Sequence, residues 1–118
     1  MPRDYKVSLQ DVLQAIGDVA EFVGTMTLEQ FKSDKKTLHA VVRDLEVIGE
    51  AVKSVPAEVR DRHPSVAWQR IAGLRDILIH HYFGIDVDII WDIVQNKLPE
   101  LKAQVHRILT EAEADPTS

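Results

Sequence analysis

Apolar residues recur at three- and four-residue steps through most of the chain, and no stretch alternates with the two-residue period of a half-buried strand. Val12, Ile16, Val19 and Val23 form one such stripe and predict a helix from about Asp4 to Val23, closed by Gly24 and Thr25. Thr27 followed by Gln30 has the form of a capping box and opens a short turn through Phe31. A second long helix starts at Ser33 or Asp34, either of which can cap it, and buries Leu38, Val41, Leu45, Ile48, Val52 and Val55. Pro56 stops it and can open a short helix through Arg62, which Pro64 ends. Ser65 is the expected cap of a third main helix from about Val66 to Tyr82, with Gly84 as terminator. Asp86 can cap a fourth helix whose stripe is Ile89, Ile90, Ile93, Val94, Leu98, Leu101, Val105, Ile108 and Leu109. Pro99 lies inside that pattern and should kink it or split it in two. Short connections between long amphipathic helices predict an all-α, antiparallel up-and-down bundle of four main helices with short connecting helices. A chain of 118 residues is enough for one domain, 1–118, with a frayed tail from Ala114 to Ser118.

The third helix departs from simple amphipathicity. At roughly 100° per residue, Ala67, Ile71, Leu74, Leu78 and His81 cluster on one side, the expected core face. The other side should be polar, yet it carries Trp68, Ala72 and Ile79 among Arg75, Asp76, His80 and Tyr82. A helix apolar on both sides is usually buried on both sides. In so short a chain a second copy is the simplest cover, so a homodimer is expected, with Trp68, Ala72, Gly73 and Ile79 at a two-fold axis. Gly73 would allow close backbone approach there. The plainer alternative is that the fourth helix, bent at Pro99, covers both sides within one chain.

Arg75, Asp76, His80 and Tyr82 are the dense polar group on that second face. Asp76 and His80 are four apart and therefore neighbours on a helix. A carboxylate beside an imidazole fixes its tautomer, and His80 can then move protons near neutral pH. Arg75 offers a planar fork of donors suited to phosphate. Five residues separate Arg75 from His80, roughly 140° on an ideal helix. Either the helix distorts or residues from two subunits share one site. Alternatively these side chains form a surface ion pair, a snorkelling arginine and a helix-end anchor. Asp76 and His80 supply only two metal ligands with no evident third, so neither metal nor cofactor is expected. On the second helix His39, Arg43, Glu46 and Glu50 make a polar stripe. It reads as a solvated face with helical salt bridges, or Glu46 and Glu50 border the Arg75 site.

Composition narrows this picture. The net charge of −5 disfavours a surface that grips nucleic acid by charge alone. Residues Glu58 to Tyr82 are mildly basic, with four arginines against three carboxylates. The chain has no cysteine, which excludes disulfides and cysteine-bound metals. No apolar run could span a membrane, and Met1 to Ser8 lacks the apolar stretch of a signal peptide, so a cytoplasmic protein is expected. There is no glycine-rich phosphate loop, Walker pattern or serine nucleophile elbow.

The run Arg75-Asp76-Ile77-Leu78-Ile79-His80-His81-Tyr82 resembles the signature of the HEPN superfamily, in the R-x4-H-x-Y form of HepT-like toxins. Ile48-Gly49-Glu50-Ala51, Trp68 and Ile71, Ile85-Asp86 and Trp91 are similar to that family's pattern too, so the likeness runs from about Leu38 to Leu101. The short signature is weak alone and fairly specific with its flanks. The resemblance implies a metal-independent endoribonuclease in which the RNA 2′-hydroxyl attacks the adjacent phosphodiester and leaves a cyclic phosphate. It implies that Arg75 holds the phosphate, His80 assists proton transfer and Asp76 supports them. It implies a cognate minimal nucleotidyltransferase antitoxin that uses ATP to attach AMP to Tyr82, adding bulk and negative charge beside Arg75. It also implies a dimer with two motifs facing one cleft. A competing expectation is a non-catalytic dimeric accessory subunit that binds a nucleotide or presents Tyr82 to the nucleotidyltransferase. A third is a generic helical interaction domain in which the motif is silent.

Overall fold

The computed structural model describes residues 4–74, 76, 78 and 86–114. Every regular element among them is helical, and together they form an all-α bundle. Helix α1, Tyr5–Val23, starts where the Asp4 side chain accepts a hydrogen bond from the Lys6 N–H at 2.9 Å. It ends at Gly24, whose φ of 53° is the left-handed conformation glycine adopts freely. Thr27 and Gln30 close a complete capping box, at 2.9 and 3.2 Å, on α2, Leu28–Ser33. That short helix buries Phe31, whose ring meets Trp91 at a centroid distance of 5.2 Å.

Asp34 is the cap of α3, Lys35–Lys53, accepting from the Thr37 N–H at 3.0 Å. That bond, donated to the ionised carboxylate, lowers the Asp34 pKa. The stripe of Leu38, Val41, Leu45, Ile48 and Val52 is buried as its spacing requires, and α3 folds back along α1, which contributes Leu9, Val12, Ile16 and Val19. The helix stops before Pro56, which instead precedes α4, Ala57–Arg62.

The third main helix departs from the expected boundaries. Ser65 does not cap it; its carbonyl accepts from Gln104 Nε2 at 3.2 Å. Helix α5, Trp68–Ala72, follows Ala67, which has no side-chain cap bond. A turn at Gly73 interrupts it, and Leu74, Asp76 and Leu78 are again helical. The late start reverses the first turn of the wheel. Ala67 is exposed, while Trp68 is 7% exposed and donates its indole N–H to the His63 carbonyl at 2.9 Å. The largest apolar side chain of the segment is therefore covered within one chain, with its polar atom satisfied. The expected helix end at Tyr82 to Gly84 and the tail beyond Ala114 lie outside the described residues.

The last arm is helical from Val87 to Ala114, but not uniformly. Helix α6, Val87–Asp92, runs into a π-helical turn, Ile93–Lys97, and then α7, Leu98–Ala114. Asp86 precedes α6 without the expected side-chain cap bond. Pro99 has no N–H to offer the Gln95 carbonyl, and its ring would press on that oxygen in a regular helix. The Leu98 N–H reaches back five residues to the Ile93 carbonyl, and the widened turn accommodates the proline without ending the helix. Of the expected stripe, Ile90, Val94, Leu98, Leu101, Val105 and Ile108 are buried, whereas Ile89 points away from the core at 37% exposure. No helix of the described residues is long and apolar enough to cross a membrane.

Candidate functional site

The segment bearing the motif is held against α3 through a glycine. A Cβ built on Gly49 would meet the Ile71 carbonyl oxygen at 3.1 Å and Leu74 Cβ at 3.7 Å. Even a methyl group there would require the α5 backbone to give by a few tenths of an ångström, and a branched side chain by more. Gly73, the expected close-approach position, is different: among the described residues a Cβ on it would meet carbonyls of its own helix, Gln69 at 3.2 Å and Arg70 at 3.6 Å. The tight contact is thus within one chain, and Gly49 makes it. In the sequence its signal was a glycine inside an otherwise strong helical stripe, which usually has a packing reason.

Beyond Gly73 the register is set by Leu74 and Leu78, both buried and one helical turn apart. Asp76, about 200° from Leu74 on a helix, is exposed. The polar position of the motif therefore faces away from the core. Arg75, Ile79, His80 and Tyr82 lie outside the described residues, so their convergence is not observed. Ala72 and Gly73, expected at a dimer axis, are half-buried in the single chain; Trp68 has little surface left to offer a second copy.

Glu46 and Glu50 line a polar groove of about 580 Å³ with Asp11 of α1 and Arg43. Glu46 pairs with Arg43 at 3.8 Å and Glu50 with Lys53 at 3.2 Å, both spaced three apart on the helix. These are the helical salt bridges of a solvated face, worth a few tenths of a kcal/mol each. Glu50 directly follows Gly49, so it flanks the contact with α5 without being buried in it. Nearby Asp44 is half-buried: burial first, and the Asp18 carboxylate second, raise its pKa, while Arg43 partly offsets them.

His39 and His106 are exposed, and His63 sits 3.7 Å from Glu111. Among the described residues no group of three His, Asp or Glu side chains could hold a metal ion.

One further surface was not anticipated. Ile71 and Leu74 face Ile89, Ile93 and Leu101 across an aliphatic groove of about 480 Å³, with Arg70 and Lys97 on its lining. The sequence signal for it was scattered, because the aliphatic residues and the two cations that line it come from segments far apart in the chain.

A family model described as Ribonuclease HepT-like matches residues 12–108. The chain is similar to a protein of Methanocaldococcus jannaschii named provisionally as an RNase, 47% identical over 116 residues, which cover 98% of this chain and 96% of the relative. It is 42% identical over 108 residues to a protein of Thermococcus cleftensis named as a probable ribonuclease HepT, covering 92% of this chain and 98% of the relative. A provisionally named RNase of Caldanaerobacter subterraneus subsp. tengcongensis is 45% identical over 108 residues, covering 92% and 94%. No solved structure matches the chain.

Proposed function

This chain belongs to the HepT-like ribonuclease family, and we propose that it is a metal-independent endoribonuclease, the toxin of a toxin–antitoxin pair. The observation that carries the reading is that the family match, residues 12–108, takes in the whole Arg75–Tyr82 signature together with the scaffold that holds it. The exposure of Asp76 opposite buried Leu74 and Leu78 supports it, because a motif that meets RNA needs its polar side in solvent.

In this reading an RNA 2′-hydroxyl attacks the neighbouring phosphorus. His80 assists by taking the hydroxyl proton or by giving one to the departing 5′-oxygen, and the products are a 2′,3′-cyclic phosphate and a 5′-hydroxyl. Arg75 binds the non-bridging oxygens as charge builds on them, and Asp76 orients its neighbours. The angular separation of Arg75 from His80 on one helix favours a shared cleft between two copies, with Ala72, Gly73 and Ile79 near the axis and Trp68 no longer among the interface residues. Glu50 and Glu46 would border the cleft from α3. Attachment of AMP to Tyr82 by a cognate nucleotidyltransferase would block RNA by bulk and by negative charge beside Arg75. The work is expected in the cytoplasm, where RNA and such a partner meet.

The test is direct. Arg75→Ala and His80→Ala are each expected to lower RNA cleavage by at least about 100-fold and to relieve growth inhibition, with an unchanged circular dichroism spectrum. If both variants cut RNA as well as the parent chain, the assignment fails. Co-expression with the nucleotidyltransferase should add the mass of one or more AMP groups to Tyr82.

A further inference from the structure

Two grooves on the described surface have opposite chemistry. The one between α1 and α3 is lined by three carboxylates, Asp11, Glu46 and Glu50, against Arg43. The second groove, beside α5, has aliphatic walls: Ile71 and Leu74 on one flank, Ile89 and Ile93 on the other. Ile89 is one of three large apolar side chains exposed among the described residues, and the other two, Val7 and Phe22, do not line this groove.

The margin of the aliphatic groove carries Arg70 and Lys97, both exposed. Neither takes part in an ion pair among the described residues. Against them stands one carboxylate, Glu100. At one end Ser65 and Gln104 supply polar edges, tied together by the bond from Gln104 Nε2 to the Ser65 carbonyl. A volume of about 480 Å³ falls within the range of small-ligand sites, roughly 300–1,000 Å³.

We propose that this groove is a subsite for one nucleobase of single-stranded RNA, rimmed by cations for the flanking phosphates. The proposal rests on the ribonuclease reading and extends it. A nucleobase has apolar faces and a polar edge, and charged phosphates follow on either side. Here aliphatic walls cover the faces, Ser65, Gln104 and Glu100 meet the edge, and Arg70 and Lys97 meet phosphates. Leu74, which lines the groove, directly precedes Arg75 in the sequence. A second copy of the chain fits the groove less well. A second copy offers the two rim cations only the carboxylate of Glu100, whereas an RNA strand offers a phosphate on each side of the base.

The experiment uses the full chain carrying His80→Ala, to stop cleavage, and a fluorescently labelled short single-stranded RNA of mixed sequence. In that background Ile89→Asp is expected to weaken RNA binding about ten-fold. Arg70→Ala and Lys97→Ala should each flatten the dependence of log affinity on log salt by about 0.7. In the otherwise native chain the same three changes should raise KM and leave kcat in place, because a base held equally before and during reaction contributes uniform binding. Sedimentation should show an unchanged assembly.

Unaltered affinity and salt slope in all three variants would overturn the subsite. So would a change in oligomeric state with Ile89→Asp, which would make the groove a protein interface. Should Ile89→Asp fail to fold, the two exposed cation variants still decide the matter. If the native chain neither binds nor cuts RNA, the ribonuclease reading falls and the subsite with it. If it cuts RNA and the variants match it, the subsite alone is lost.

Discussion

Helices α1 and α3 and the segment from Val66 to Leu78 follow different rules, although α3 packs on both α1 and α5. In the α1–α3 pair the buried apolar positions repeat at helical spacing, caps sit where their side chains predict, and polar residues stay mostly outside, with Ser8 the buried exception. In the Val66–Leu78 segment the helix starts late, has no side-chain cap and turns at Gly73. Its first large apolar residue is buried where the wheel placed a polar face. The first region is a scaffold whose stability lies in its own pattern. The second takes its position from what it touches, chiefly Gly49 of α3. A functional motif on such a segment depends on its support as much as on its own residues.

That contrast can be broken most strongly in the scaffold. Leu45 is fully buried between α1 and α3, and Leu45→Ala is expected to cost about 2–5 kcal/mol in chemical denaturation. A loss under about 1 kcal/mol would mean the pair is less tightly packed than it looks.

The two glycines of the same scaffold sharpen it next. A Cβ on Gly49 meets backbone oxygen at 3.1 Å, whereas one on Gly17 meets nothing within 4 Å. Gly49→Val should therefore destabilise by about 1–3 kcal/mol and reduce RNA cleavage further than its stability loss explains, because α5 must shift. Gly17→Ala should raise stability by about 0.5–1 kcal/mol and leave cleavage alone, since alanine is the better residue in an open helix interior. Equal effects at the two sites would show that Gly49 does not position the motif.

The smallest effect separates two carboxylates of α3 and its cap by pH. The raised pKa of Asp44 means that its ionised form costs the folded state. Asp44→Asn is therefore expected to stabilise by roughly 0.5 kcal/mol or less near neutral pH, a gain that fades as acid protonates the native carboxyl. Asp34 has the opposite sign. Its lowered pKa contributes stability above the unfolded carboxylate range that is lost as pH falls through the folded value. Thermal melts of Asp44→Asn and Asp34→Ala against pH should diverge from the parent in opposite directions at neutral pH and converge with it in acid.

Several features were legible before any coordinates. The stripes of α1 and α3, the capping box of Thr27 and Gln30, the stop at Pro56 and the disturbance near Pro99 all rest on local rules. So does the motif itself, whose residue types and spacing carry the resemblance to HepT-like proteins. The form of the Pro99 disturbance was not legible, because a kink, a split and a π-helical turn all answer the missing N–H; the packing of Val94 and Leu98 on the core keeps the arm continuous.

The linear chain determined which residues are apolar, how they repeat and which chemistry stands at positions 75 to 82, since period, capping and motif are properties of neighbours in sequence. Tertiary structure alone decided that Trp68 turns inward, that Gly49 and not Gly73 makes the close approach, and that Ile89 lines a groove with Arg70 and Lys97. Each of those outcomes depends on contact between residues distant in the chain, where burying a large ring or clearing a backbone oxygen outweighs the local helical phase.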